Sequence, residues 1–288
     1  MRPLAVLLPL LSACAWGPGI PQCMQALPRS EAEAAAITAE IRRELGDRVL
    51  IEQVEEWFFA ATNDTPASFR ACQGTIQRMV RHLYDGYFTK KPEKPIRVYL
   101  FRDKASYEDY CNRTYEKPPS TPFGFYMARE RKMVMNIATG TGTLAHEIVH
   151  PLLSEDFPEV PSWFNEGFAS LYEQSGPRNG RIVGLVNWRL PGLHKALRSA
   201  RGVSLKELLE TSTDAFYGDA RGSNYAAARY LCLWLQERER LADFYRAFKA
   251  SHNDDPTGRT ALEKVVGKTL DDLEREWRDW VLTLALRD

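Results

Sequence analysis

The sequence predicts an α+β fold, and three observations carry that expectation. Short runs rich in β-branched and aromatic residues all fall before residue 140, helical periodicity fills the segments between them, and beyond residue 180 the pattern is helical almost throughout. A small mixed sheet with helices is expected over residues 30–174, and a mostly helical part over residues 175–288. At 288 residues the chain can hold one large domain or two smaller ones, and a hydrophobic fraction of 44% suffices for a sizeable core.

Ser30 to Leu45, rich in Ala and Glu, reads as a helix. Arg48 to Thr62 is β-rich in part, through Val49-Leu50-Ile51 and Trp57-Phe58-Phe59, and reads as strand. Phe69, Cys72, Ile76, Met79, Leu83 and Tyr87 then share one helical face. Ile96 to Phe101 is a strand, Lys104 to about Asn112 a short helix, and Lys132 to Ile137 a further strand. The Thr139–Thr143 run turns into the next helix. Ser175-Gly176-Pro177-Arg178-Asn179-Gly180 reads as a boundary. Helices are expected beyond it over Trp188–Leu197, Leu205–Leu209, Asn224–Arg238, Leu241–Ser251 and Leu270–Leu286. In the last, Leu270, Leu273, Trp277, Trp280, Val281 and Leu284 form a stripe that reads as core.

Charge excludes one class of partner. Lys and Arg total 38 against 38 Asp and Glu, with no basic cluster, so no nucleic acid is expected. The amino terminus indicates a destination: Arg2 precedes an apolar run from Leu4 to Ala13 that is too short to span a bilayer but suits a signal-peptide core. Leu11-Ser12-Ala13-Cys14 resembles the bacterial lipobox, which implies removal of residues 1–13, lipidation of Cys14 and a spacer over residues 14–29. The protein is then expected outside the cytoplasm, held on a membrane surface by acyl chains. Ala15 after the lipidated cysteine implies, by resemblance to Gram-negative lipoproteins, the outer membrane; an ordinary secretory signal is the alternative. Cys23, Cys72, Cys111 and Cys232 remain, an even number in an oxidising compartment. They allow three pairings, or buried thiols at Cys72 and Cys232.

The chemistry is concentrated in two short runs, His146-Glu147-Ile148-Val149-His150 and Trp163-Phe164-Asn165-Glu166-Gly167-Phe168-Ala169. Helix positions i and i+4 lie only about 40° apart around the axis, so the two imidazoles can reach one metal ion. Glu147 lies to the side of that pair, where a carboxylate can take a proton from a water that the metal polarises. Catalytic zinc wants three protein ligands and an open fourth position, so one ligand must come from elsewhere. Glu155, Asp156 and Glu159 sit in a Pro-punctuated stretch (Pro151, Pro158, Pro161) that reads as a connecting loop of about ten residues. Glu166 instead follows Pro161-Ser162, which resembles a helix start with Ser162 as N-cap. An antiparallel pair of helices would bring Glu166 to the histidines, with Asn165 as a supporting partner. Pro151 directly after His150 implies that the first helix ends or kinks at the second ligand.

HEIVH together with WFNEGFAS resembles the gluzincins, zinc metallopeptidases with two helix histidines and a glutamate on a following helix. WFNEGFAS is close to the WLNEGFAS-type run of aminopeptidase N-like enzymes. The resemblance implies a zincin-like fold, one zinc ion on His146, His150 and Glu166, Glu147 as general base, and a peptide or protein substrate. Fewer residues separate His150 from Glu166 than is usual in those enzymes, no GAMEN-like segment is present, and the chain is much shorter. It is therefore more similar to the small peptidase MA-like proteins of bacteria. The resemblance also implies that the strand before the metal helix, Met133-Val134-Met135-Asn136, is an exposed edge that a peptide can join. A tyrosine several tens of residues after the glutamate would steady the oxyanion. Tyr225 is the nearest match, with Tyr217, Tyr230, His194 and His252 as competitors. The function expected is peptide hydrolysis at the bacterial envelope. The alternatives are a non-catalytic, zinc-stabilised envelope lipoprotein that binds partners, or a zinc hydrolase of other substrates.

Overall fold

The computed structural model describes residues 30–199 and 204–286. The signal segment, the spacer, Cys14 and Cys23 lie outside the described residues. The chain is a mixed α+β protein. In order it runs α1 (Glu31–Leu45), β1 (Leu50–Val54), β2 (Phe58–Thr62), α2 (Pro66–Gly86), β3 (Ile96–Phe101), α3 (Lys104–Tyr115), β4 (Gly124–Met127), β5 (Lys132–Asn136), α4 (Gly142–Asp156) and α5 (Ser162–Leu171). The remainder is β6 (Ser175–Arg178), β7 (Arg181–Gly184), α6 (Leu190–Arg198), α7 (Leu205–Glu210), α8 (Thr213–Phe216), α9 (Arg221–Glu237), α10 (Leu241–Ser251), α11 (Arg259–Val266) and α12 (Leu270–Thr283).

The five-stranded sheet has the order β1-β2-β3-β5-β4. β2, β3 and β5 run parallel, and antiparallel strands lie at both margins. Alternation along the strands divides two cores. Phe58, Ala60, Ile96, Val98, Leu100, Met133 and Met135 face the larger core, with α2, α4, α5 and the later helices. Phe59, Ala61, Tyr99, Phe101 and Val134 face α1 and α3. Because both faces are covered, β2 and β5 are buried at every residue.

β5 is therefore not the exposed edge expected for Met133–Asn136. It is enclosed between β3 and β4, and the edge is β4, which sequence reading left unassigned. The β-rich stretch Arg48–Thr62 is a hairpin, turned at Glu55 with φ 56°. The Ser175–Gly180 boundary is also a hairpin. Asn179 and Gly180, with φ of 52° and 75°, make its tight turn, and buried apolar packing continues from Val54 to Val281 across it.

Cys72, Cys111 and Cys232 are free, buried thiols, so no disulfide forms among the described cysteines. Of the carboxy-terminal stripe, Leu270, Leu273, Trp277 and Val281 are buried. No described helix is long and apolar enough to cross a membrane.

Candidate metal centre

Two helices position the site, and both depart from the sequence expectation in ways that matter. α4 continues through Pro151 to Asp156, so the second histidine does not end it. Proline removes one helical hydrogen bond at the Glu147 carbonyl, and burial of Ile148, Val149, Pro151, Leu152 and Leu153 in the core outweighs that loss. Glu155 and Asp156 consequently belong to α4 rather than to a loop, and the connection is only Phe157–Pro161. Pro161, not Ser162, is the N-cap of α5. The Ser162 hydroxyl instead donates to Thr213 Oγ1 at 2.9 Å.

α5 is buried at almost every position because it is wedged between α4 and α9. Trp163, Phe164 and Phe168 pack against Phe244, Tyr245 and Phe248 of α10, which explains the aromatic residues around Asn165-Glu166. Gly167 allows the close approach to α9, since a Cβ there would lie 2.8 Å from the backbone carbonyl of Ala228. Arg229, fully buried on α9, donates to the carbonyls of Ser170 at 2.8 Å and Leu171 at 3.3 Å, and so satisfies the end of α5. Glu166 is thereby held at a fixed height over α4.

His146, His150 and Glu166 converge, with ligand atoms all within 4.8 Å of one another. Glu166 Oε2 lies 3.3 Å from His146 Nε2 and 3.9 Å from His150 Nε2. Atoms bound at about 2.0–2.2 Å to a tetrahedral ion would stand roughly 3.3 Å apart, so little adjustment closes the group on a cation. Glu166 Oε2 is also buried without a hydrogen-bond partner. A carboxylate oxygen that makes no hydrogen bond and faces two imidazoles fits a metal ligand. The group could hold a metal ion.

Polar residues surround the three side chains. His150 Nδ1 lies 3.0 Å from Asn165 Oδ1, and donation from Nδ1–H would leave Nε2 free to face a cation. Glu173 stands beside His146, its Oε1 3.5 Å from Nδ1. Arg189 holds Glu173 from the far side, Nε to Oε2 at 2.9 Å and Nη2 to Oε1 at 2.6 Å, and Asn187 adds a bond at 3.2 Å. Tyr217 donates to Glu166 Oε1 at 2.6 Å. Glu173 and Arg189 escaped sequence reading, because Glu173 lies in the turn after α5 and Arg189 farther along the chain, where no helical spacing ties them to Glu166.

The electrostatics favour a cation. Burial works against charge on His146, but Glu166, Glu147 and Glu173 around it hold the imidazole protonated up to about 9. Burial raises Glu166, yet His150, His146 and Tyr217 outweigh it and bring its carboxyl down to about 2. Glu147 is buried, and burial is the main reason its carboxyl is raised, opposed by the two histidines and by the Tyr126 backbone N–H. A carboxyl with raised affinity for protons, beside a cation site, suits proton transfer.

The remaining sequence candidates separate clearly. Tyr225 lies beside Glu166 and Tyr217, with its ring 5.1 Å from the Arg189 guanidinium. The Tyr230 hydroxyl bonds the Asn187 backbone, His194 meets the Val281 carbonyl, and His252 packs on Phe157 and Phe248. These three are structural. Glu155 pairs with Arg131, Asp156 is engaged elsewhere, and Glu159 is exposed, so none competes with Glu166. The chain matches no protein-family model and no curated protein.

Proposed function

We propose that the protein is a zinc-dependent metallopeptidase of gluzincin type that hydrolyses peptide bonds. The observation that carries this reading is the buried carboxylate of Glu147 placed next to the His146-His150-Glu166 group, since holding an ion structurally requires ligands but no proton acceptor. Nitrogen and carboxylate donors in a three-ligand set suit zinc. The antiparallel margin strand β4 beside the HExxH helix supports a zincin-like arrangement.

His146 Nε2, His150 Nε2 and Glu166 Oε2 would hold the ion. Zinc, when bound, supplies a Lewis acid that polarises water and the scissile carbonyl. Glu147 accepts a proton from the attacking water and returns it to the departing amine. Its raised proton affinity matches both transfers. The Tyr225 phenol, beside Glu166, is the hydrogen-bond donor for the carbonyl oxygen as it gains charge.

The substrate would lie along β4. Asn136 N–H donates to the Phe123 carbonyl at 2.8 Å, and alternation along the antiparallel ladder then turns the Gly124 backbone groups and the Tyr126 carbonyl to the free edge, the Tyr126 N–H being turned to Glu147. An extended peptide pairing there would pass over Glu147. Action at the bacterial envelope, with Cys14 as lipid anchor, completes the proposal and rests on the amino-terminal sequence.

The test is hydrolysis of a peptide library by the purified protein and by Glu147→Gln. The wild type is expected to cleave, and the variant to keep its zinc while losing roughly 100-fold or more of turnover. Full zinc occupancy with no hydrolysis by the wild type would instead favour a zinc-stabilised binding protein. Tyr225→Phe is expected to lower turnover about 100-fold with zinc retained. Unchanged turnover would remove Tyr225 from the mechanism.

A further inference from the structure

The two oxygens of Glu166 live in different surroundings. Oε2 faces the two imidazoles and has no hydrogen bond, whereas Oε1 accepts the Tyr217 hydroxyl at 2.6 Å. We propose that Tyr217 is a positioning residue that confines Glu166 to coordination through one oxygen and so keeps a fourth metal position open. The inference rests on the reading of His146, His150 and Glu166 as a metal site.

The Tyr217 phenol and a bound cation would compete for Oε1. A carboxylate can bind a cation through one oxygen or two, and a short hydrogen bond to an ionised acceptor is among the stronger polar contacts in a protein. With Oε1 occupied by a phenol, swinging it onto the ion would break that bond. With Oε1 free, the carboxylate could close on the ion through both oxygens and raise the coordination number. An open fourth position is what separates a catalytic zinc site from a structural one.

The placement of Tyr217 is not a by-product of core packing, for its side is open to solvent and the residue is 40% exposed. It is set by polar ties instead. α8 is fastened across the start of α5 by the Ser162–Thr213 hydrogen bond, and its end by Asn224 Nδ2, which donates to the Phe216 carbonyl at 3.0 Å. The Tyr217 ring then leans edge-on against Phe216 and Tyr225, with centroids 5.4 and 6.3 Å away. The arrangement delivers the Tyr217 hydroxyl to Oε1, with the Tyr225 phenol also beside Glu166.

Cobalt(II) substitution of the full protein reads the coordination number directly, because four-coordinate cobalt absorbs visible light far more strongly than five-coordinate cobalt. The wild type is expected to bind one cobalt ion with intense visible bands, and Tyr217→Phe to bind the same amount with bands weakened several-fold. Phe keeps the ring against Phe216 and Tyr225, and Tyr217→Leu serves as a second variant with the same expected weakening. Spectra of both variants that superimpose on the wild type at full cobalt occupancy would overturn the role of Tyr217 while leaving the metal site standing. A wild type that takes up no cobalt or zinc would overturn the metal reading itself, and the inference with it.

Discussion

Asp156 at the end of α4 and Glu166 in the middle of α5 are both buried carboxylates, and the protein treats them differently. Asp156 is saturated. Its Oδ1 accepts the backbone N–H groups of Thr89 at 2.8 Å and Lys90 at 2.6 Å, and its Oδ2 accepts Lys249 Nζ at 2.6 Å and the Tyr245 hydroxyl. Glu166 has one oxygen bound by Tyr217, and the other makes no hydrogen bond and faces only the imidazoles of His146 and His150, at 3.3 and 3.9 Å. A buried charge surrounded by donors is satisfied within the fold, while an oxygen left without a hydrogen bond beside two imidazoles could take a cation. The comparison sets a clamp against a proposed ligand.

The largest effect should come from breaking the clamp. Asp156→Ala leaves an ammonium and two backbone donors without their acceptor, and is expected to lower unfolding free energy by about 3–5 kcal/mol in urea titration, with zinc affinity unchanged. The mirror experiment adds zinc. At about 1,000 times the dissociation constant, the ion should stabilise the wild type by about 4 kcal/mol. Asp156→Asn should keep that gain and Glu166→Ala should lose it. Equal zinc-linked gains in both variants would erase the distinction between the two carboxylates.

A smaller effect sharpens the ligand side of the comparison. Asn165→Ala frees the His150 ring and is expected to weaken zinc binding about 10- to 100-fold in a competitive chelator titration, with little change in unfolding of the zinc-free protein. The smallest effect is in acid. Burial raises the Asp156 carboxyl, but Lys249, Tyr245 and the Lys90 and Thr89 amides outweigh it and hold it below its usual range. Between its folded value and an unfolded value of about 3.9 the unfolded chain binds more protons. The contribution of Asp156 to stability is therefore complete above roughly pH 4 and is lost as pH falls through the lowered folded value. Stability measured against pH should fall less steeply below that point in Asp156→Asn than in the wild type.

The parts legible in the sequence were those fixed by short-range geometry. His146 and His150 share a face by helix spacing alone, and Glu166 and Asn165 announce themselves by the helix that carries them. The helical faces of α2 and α12 were readable for the same reason. Asp156 and its four partners were not, because Thr89, Lys90, Tyr245 and Lys249 lie far from it along the chain. The edge strand was missed because β4 is four residues long, and because strand order is a long-range property that alternation cannot give. Two local rules gave partial answers. Pro151 implied an end or a kink in α4, and the helix does not end there, while Ser162 suggested a cap where its hydroxyl serves α8 instead. One signal was present and unread: the Asn179-Gly180 pair marks a tight hairpin turn as readily as a boundary.

The most direct measurement is metal content by elemental analysis of the protein dialysed against a small excess of zinc, beside Glu166→Ala and Asp156→Asn. One zinc ion per chain is expected in the wild type and in Asp156→Asn, with none retained by Glu166→Ala. Zinc-free wild type, or equal zinc in all three, would contradict the assignment of Glu166 Oε2 to a metal.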